Sequence, residues 1–105
     1  MSLKEITIPE GVHTVGDHAF AGCINLWNVI LPSGLKDIQT EAFRGTVIRE
    51  ISIPYSVTHI GKKAFYKCEK LNQVNITDKS KLEKIESGAF YGCKSLKEIK
   101  IVDTC

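Results

Sequence analysis

Four cysteines are the residues of this chain best suited to nucleophilic, redox or metal chemistry. They are Cys23, Cys68, Cys93 and Cys105, separated by 45, 25 and 12 positions. No two of them form the C-x-x-C pair that is typical of zinc and redox sites. Their spacing therefore identifies no metal centre, and it leaves the redox compartment undetermined.

Three histidines, His13, His18 and His59, are the remaining candidates for ligands or general bases. A Cys–His nucleophile needs a hydrogen bond between the two side chains, and nothing in the sequence selects such a pair. No Gly-rich phosphate-binding loop is evident either. We therefore predict that the chain is not an enzyme and that it needs no cofactor or metal.

The composition indicates one small globular domain. The chain has 105 residues, 43% of them hydrophobic, and a net charge of +2. This length is too short for two lobes with a ligand cleft between them, and the hydrophobic fraction excludes a disordered chain. No run of 18 apolar residues occurs, so we expect no membrane insertion, and we also expect no signal peptide in this chain.

Basic residues are concentrated in the second half of the chain. Residues 54–105 carry ten Lys against six acidic residues, whereas residues 1–53 carry four basic against six acidic residues. An Arg cluster or a platform of aromatic residues that could stack on bases is not evident. We interpret most of these lysines as solubilising; binding to nucleic acid, which the sequence does not favour, or to an anionic surface stays open as the alternative.

The whole chain is built from one repeat, with Ala-Phe dipeptides 23, 22 and 25 residues apart. The dipeptides begin at Ala19, Ala42, Ala64 and Ala89. An apolar L-x-x-I-x-I pattern follows each of them, and a fifth copy opens the chain. Its members are Leu3-Ile6-Ile8, Leu26-Val29-Leu31, Ile48-Ile51-Ile53, Leu71-Val74-Ile76 and Leu96-Ile99-Ile101.

Each repeat combines a short strand with a turn. The last two apolar residues of L-x-x-I-x-I alternate, which places them on one side of a strand, and Pro9, Pro32 and Pro54 end three of these strands. The stretch around Ala-Phe is too short for a full helix, so we predict one helical or 3₁₀ turn. Units of this size bury their apolar residues only by stacking. The predicted fold class is an α/β repeat solenoid with one parallel sheet of about five short strands and these turns on its convex side.

This repeat resembles the BspA-like branch of the leucine-rich repeats, whose consensus is roughly I-P-x-x-V-x-x-I-G-x-x-A-F-x-x-C-x-x-L-x-x-I-x-I. The second repeat departs from it: Gln39 replaces Gly, Thr46 replaces Cys, and one residue is missing before Ile48. We expect these changes to alter one convex turn and not the architecture. The resemblance implies a single leucine-rich-repeat domain over residues 3–102, without separate capping domains. Its strands are expected near residues 3–8, 26–31, 48–53, 71–76 and 96–101.

The repeat also gives the cysteines a structural interpretation. Cys23, Cys68 and Cys93 occupy one repeat position, and Thr46, which is similar in size, occupies it in the second repeat. This favours small buried side chains that close the turn. Because equivalent positions stack, a Cys68–Cys93 disulfide stays open as the alternative. His18 stands at a position that is otherwise charged or Gly, which favours surface histidines.

The exposed side of the strands is the best candidate for binding a protein. Stacking the repeats places outward-facing residues in columns, and Trp27 and Ile30 are the large apolar residues among them. The alternative is that Trp27 lies flat against Arg49 or Lys4. The predicted partner-binding residues are Trp27, Ile30, Arg49, Glu50, Glu5 and Gln73.

The two ends of the solenoid are candidates for self-association. No sequence beyond the first and last strands is available for polar caps, so we expect either a piece of a longer protein or end-to-end stacking into a homo-oligomer. The residues predicted to form these ends are Leu3, Ile6, Ile8, Leu96, Ile99 and Ile101.

The resemblance implies a non-catalytic protein-interaction module. Proteins with BspA-like repeats often act at the surface of bacteria and some protists, in adhesion to host or extracellular-matrix proteins. A cell-surface or secreted location and an adhesin-like role are therefore expected from the family. The alternative is an architectural spacer or intracellular scaffold fragment, whose function lies elsewhere in a longer parent protein.

Overall fold

Nine short strands joined by tight turns make up the computed structural model, which describes residues 3–102. The strands are β1 (Glu5–Thr7), β2 (Thr14–Val15), β3 (Asn28–Ile30), β4 (Asp37–Ile38), β5 (Glu50–Ile53), β6 (His59–Ile60), β7 (Gln73–Thr77), β8 (Lys84–Ile85) and β9 (Glu98–Val102).

The strands form three parallel sheets that follow the two halves of each repeat. The longer strands β1 and β3 form one pair, and β5, β7 and β9 form a second sheet. All five overlap the predicted strand segments. The two-residue strands β2, β4, β6 and β8 form the third sheet, which we call the short-strand sheet. Ile51 lies opposite Val74, which lies opposite Ile99. Equivalent positions therefore stack directly, which confirms the predicted parallel solenoid.

The core is a column of side chains with one layer from each repeat. Phe20, Phe43, Phe65 and Phe90 stack with successive ring centroids 5.4, 5.3 and 5.4 Å apart. The first apolar residue of the strand pattern is fully buried in the three central repeats. Because each layer is buried by its neighbours, burial of apolar surface stabilises adjacent repeats jointly and not one by one.

The predicted helical or 3₁₀ turns are absent, because residues 3–102 contain no helix. In their place stand the turn segments 17–22, 40–45, 62–67 and 87–92. Within the first, the N–H groups of Ala19 and Ala21 donate to the carbonyls of Gly16 and His18, three residues back, whereas the N–H of Phe20 donates to the next repeat. An α-helix directs every N–H along its own axis, so it cannot share bonds between repeats in this way. No helix in the described residues could cross a membrane.

Left-handed backbone conformations produce this alternation. Each turn segment has two residues with φ between +56° and +77°, four positions apart. The residues are His18 and Gly22, Glu41 and Gly45, Lys63 and Lys67, and Gly88 and Gly92. A right-handed helix cannot continue through such residues, and Gly adopts the conformation at the lowest cost. Gly precedes the cysteine position in three of the four turn segments, as Gly22, Gly45 and Gly92, and this Gly is the sequence signal that indicates the left-handed turn.

The prediction of one continuous five-stranded sheet is also wrong, because the sheet is interrupted between β3 and β5. Between later repeats the N–H of Asn72 donates to the carbonyl of Arg49 at 2.9 Å. At the interruption the N–H of Val47 donates instead to the carbonyl of Leu26, also at 2.9 Å. The one-residue deletion in the second repeat therefore brings β5 to β3 out of register. It changes a turn and also the strand face, by which we mean the exposed side of β1, β3, β5, β7 and β9 together with the residues that directly precede these strands.

Candidate functional site

A shallow cleft of about 440 Å³ lies on the strand face where β3 and β5 do not pair. Trp27 and Ile30 are 46% and 53% exposed beside it, although both are large and apolar. The lining residues are Trp27, Asn28, Val29, Ile30, Leu31, Arg49, Glu50 and Ser52. Four of the six predicted partner-binding residues, Trp27, Ile30, Arg49 and Glu50, are thus brought together.

The backbone contributes to this cleft as well as the side chains. The described sheets contain no ladder between β3 and β5, so the facing edges of these two strands lack the partners that a sheet normally supplies. The indole of Trp27 has neither Arg49 nor Lys4 over its face among the described ring contacts, so the flat stacking alternative is not observed. The cleft therefore offers an apolar ring and polar backbone groups side by side.

A polar network holds the side of the cleft towards β7. Asn75 donates to Glu50 Oε2 at 2.8 Å and to Ser52 Oγ at 3.2 Å, and Gln73 donates to Asn75 Oδ1 at 2.6 Å. Gln73 thus acts on the cleft only through Asn75, which the sequence analysis missed. Glu5 lies on the far side, where it accepts a 3.5 Å hydrogen bond from Asn28. The network orients the Glu50 carboxylate before any partner binds.

The cysteines are thiols with structural hydrogen bonds. Cys68 Sγ donates to the carbonyl of Phe43 at 3.0 Å, and Cys93 Sγ donates to that of Phe65 at 3.1 Å. No disulfide joins Cys68 to Cys93. Burial raises the pKa of Cys68, and burial reinforced by the nearby Cys68 raises the pKa of Cys93 to about 12. Neither thiol is poised as a nucleophile. Cys105 lies outside the described residues.

His59 is a bridge between repeats rather than a solitary surface residue. Its Nδ1 lies 2.8 Å from Asp37 Oδ1, and its Nε2 lies 2.8 Å from Glu86 Oε2. The hydrogen bonds to Glu86 and then Asp37 raise the pKa of His59. No group of three His, Cys, Asp or Glu residues within 3–102 is arranged to hold a metal ion. The arrangement links three successive repeats across the short-strand sheet.

The residues predicted to form self-associating ends differ in exposure. At the N-terminal end Leu3 and Ile6 are partly buried and Ile8 is 6% exposed. At the other end Leu96 is partly buried, whereas Ile99 and Ile101 on β9 are exposed. The apolar surface available for stacking therefore lies mainly on β9.

The family of the chain is shown by its sequence. Residues 1–105 match the family described as BspA type Leucine rich repeat region (6 copies). The chain belongs to the BspA-type leucine-rich repeats, as the resemblance predicted. No curated protein matches it significantly.

Three solved bacterial structures resemble this fold. A leucine-rich repeat protein of T. pallidum is 33% identical, with a TM-score of 0.82 over 90% of this chain and 44% of that one. The pneumococcal vaccine antigen PcpA is 32% identical, with a TM-score of 0.77 over 83% of this chain and 22% of that one. A leucine-rich cell surface protein of Faecalibacterium prausnitzii A2-165 is 27% identical, with a TM-score of 0.65 over 95% of this chain and 32% of that one. The chain thus spans less than half the length of each.

Proposed function

We propose that this chain is a non-catalytic protein-interaction module that binds its partner at the cleft between β3 and β5. The observation that carries the proposal is the exposed pair Trp27 and Ile30 beside an interrupted sheet. Large apolar side chains that are exposed on a rigid scaffold are typical anchors of an interface. Backbone groups of β3 and β5 that no ladder pairs add donors and acceptors beside these anchors.

The relatives support a protein as the partner. Leucine-rich repeats of this family are typically protein-interaction modules, and one of the similar structures is a cell surface protein. An adhesin-like role at a cell surface, with a host or extracellular-matrix protein as partner, is the corresponding proposal for this chain. An architectural spacer would instead show no dependence of binding on the cleft residues.

Matched double variants test the site. The immobilised chain is incubated with a panel of purified extracellular-matrix and cell-surface proteins, and the affinity of each captured protein is measured. We expect Trp27→Ala with Arg49→Ala to weaken binding about five- to thirtyfold, because truncation of interface anchors costs on the order of 1–2 kcal/mol.

The control is Tyr91→Ala with Arg44→Ala, which removes an exposed aromatic ring and an Arg from the turn segments. This control should bind like the wild-type protein. Equal affinity of the cleft variant and the wild type, or a larger loss in the control, would contradict the proposal.

Self-association through β9 is a second candidate, favoured by the exposure of Ile101 at 62% on an edge strand. Light scattering across a wide concentration range should show a dimer that Ile101→Lys converts to a monomer. A wild-type protein that stays monomeric throughout would remove this candidate.

A further inference from the structure

A basic hollow of about 590 Å³ adjoins the cleft, beside the N-terminal ends of β5, β7 and β9. It is lined by Arg49, Lys70, Asn72, Lys94, Ser95 and Lys97. Arg49 also lines the cleft, so the two depressions share a wall. Three successive repeats contribute cations to this hollow, whereas Trp27 and Ile30 of the preceding repeat provide the apolar surface next to it.

The cations of the hollow are largely unused within the protein. Among the described residues, no carboxylate lies within 4.0 Å of Arg49, Lys70 or Lys97, and none of the three lies over an aromatic ring. Lys94 contacts Glu69 at 3.5 Å at an exposed position. Like charges that are gathered without counter-charges favour an anionic ligand.

Cations of the turn segments provide the contrast. Arg44 lies 2.9 Å from Glu41, and the ammonium groups of Lys63 and Lys67 lie 5.1 and 5.5 Å from the ring centroid of Tyr66. These side chains are occupied by internal partners, unlike those of the hollow. The basic charge of the strand face is therefore available to a ligand.

We propose that the cleft and the hollow form one continuous site for an extended acidic peptide segment of a partner protein. An aliphatic or aromatic side chain of the peptide packs on Trp27 and Ile30, and carboxylates that follow it reach Arg49, Lys70 and Lys97. This inference deepens the proposed function and depends on the strand face being the binding surface.

The dimensions of the face suit such a peptide. Arg49, Asn72 and Lys97 occupy equivalent positions on three repeats whose strands pair, and paired parallel strands are spaced by roughly 4.8 Å. This row therefore spans roughly 10 Å, the length of about three extended residues, and Trp27 lies beyond Arg49 across the opening. A peptide crossing the strands would meet the apolar surface first and the cations next.

Glu50 sets the direction of the peptide. Its carboxylate lines the cleft and is held there by Asn75. A negative charge at this point repels acidic residues from the cleft, while Asn72 and Ser95 add neutral donors for carboxylates in the hollow. A sulfated polysaccharide carries anionic groups along its whole length, so the Glu50 carboxylate would repel it where it crossed the cleft.

Trp27, the only tryptophan of the chain, provides a direct signal for the test. The probe is the peptide acetyl-Leu-Gly-Glu-Glu-Glu-Glu-amide, which contains no fluorescent side chain, and its match has Gln in place of every Glu. Titrated at low ionic strength, the Glu peptide should change the Trp27 fluorescence and bind at least about fivefold more tightly than the Gln peptide.

Two triple variants of equal charge test the position of the site. Arg49→Gln, Lys70→Gln and Lys97→Gln together should weaken binding of the Glu peptide about fivefold or more. Lys36→Gln, Lys62→Gln and Lys79→Gln remove the same charge away from the hollow and should change it less than about twofold. Urea unfolding of both variants shows whether each is folded.

Three results would overturn the inference. They are equal affinity for the Glu and Gln peptides, equal loss in the two triple variants, and a heparin fragment that binds more tightly than the Glu peptide and is lost only in the hollow variant. If a captured protein still depends on Trp27 and Arg49 while the Glu peptide does not bind, the proposed function stands and this inference alone fails.

Discussion

The short-strand sheet and the strand face are two sides of the same repeats, yet one is continuous and the other is interrupted. The short-strand sheet pairs β2, β4, β6 and β8 without a gap, and the phenylalanine column follows the same order. The strand face divides between β3 and β5. Four of the predicted partner-binding residues, Trp27, Ile30, Arg49 and Glu50, lie at that division.

A single deletion explains the difference. It falls between Thr46 and Ile48, after β4 and Phe43 of the second repeat and before β5. In the second repeat the short strand and the core ring therefore keep the regular spacing, and only the segment that leads into β5 is shortened. The lesson is that a solenoid can open a site on one face without losing the packing that holds its repeats together.

The largest loss of stability is expected beside the short-strand sheet, at Gly61, where two successive repeats are in close contact. A Cβ on Gly61 would lie 2.6 Å from the backbone carbon of Gln39 and 2.8 Å from the nitrogen of Thr40. Gly61→Ala should therefore lower the free energy of unfolding by about 3 kcal/mol, because backbone atoms cannot move aside easily. Urea unfolding measures the loss.

Gly16 is the matched control for this prediction. It occupies the equivalent position in the first repeat, where a Cβ would approach only Gln39 Oε1, at 3.9 Å. Gly16→Ala should change stability by less than about 0.5 kcal/mol. Equal losses at the two glycines would contradict the idea that close contact between repeats causes the effect.

Repairing the deletion tests the comparison most directly. One Asn inserted between Val47 and Ile48 restores the spacing of the other repeats and should let β5 pair with β3. Unfolding should require about 1 kcal/mol more for each hydrogen bond gained, and amide exchange in both strands should slow. Partner affinity should fall as the cleft closes.

The control insertion places one Asn between Ile24 and Asn25, where the spacing is already regular. It should destabilise the protein, because it disrupts the existing pairing of β1 with β3. If both insertions destabilise the protein equally, the deletion is not the cause of the interruption.

A smaller effect is expected from the turn backbone. Lys67 has φ +56°, whereas the equivalent positions carry Gly22, Gly45 and Gly92. Lys67→Gly should raise the free energy of unfolding by about 1 kcal/mol, because Gly adopts this conformation without the steric cost of a Cβ.

Gly45→Ala is the reverse experiment at the same repeat position. Its Cβ would have no atom within 4 Å, so the expected loss of about 1 kcal/mol comes from the backbone alone. Thermal or urea unfolding of both variants gives the two signs. Stabilisation by both changes, or by neither, would refute this account of the turns.

The smallest effect is a pH dependence of the His59 bridge. Because carboxylates raise the pKa of His59 above 6.5, its contribution is complete below that pH and is lost as the pH rises through the folded value. Glu86, whose pKa is lowered chiefly by its hydrogen bond to His59, acts in the opposite sense and loses its contribution in acid. Stability should therefore peak in mildly acidic solution.

His59→Gln should remove the part of this dependence above the ordinary histidine pKa. The expected size is below about 1 kcal/mol, since a third of the side chain is exposed and solvent screens the pair. Unfolding in urea at pH 5.5 and pH 8.0 measures it, and Asp37→Asn with Glu86→Gln should flatten the same slope. An unchanged slope in His59→Gln would show that the bridge is not a source of stability.

The parallel solenoid, its five longer strands and the buried cysteine position follow from the sequence, because apolar side chains at a fixed repeat can be buried only by stacking. The prediction of about five strands is wrong in number, because the two-residue strands β2, β4, β6 and β8 bring the total in residues 3–102 to nine. The left-handed turns were harder to predict from the sequence, because Lys63 and Lys67 occupy positions where a Gly would have indicated a left-handed backbone conformation. Asn75 and the pairing of His59 were missed because hydrogen bonds between repeats depend on how side chains point across the stack.

The repeat pattern already places Ile30 and Glu50 on the strand face, because alternation along a strand sets the side to which each residue points. It places Trp27 and Arg49 at one repeat position just before the strands, where equivalent residues stack in a column. That these four residues meet at an opening follows from the tertiary structure alone. The reason is that strand pairing depends on the register between repeats. A shift of one residue prevents pairing only once the repeats stack and bring the neighbouring strands side by side.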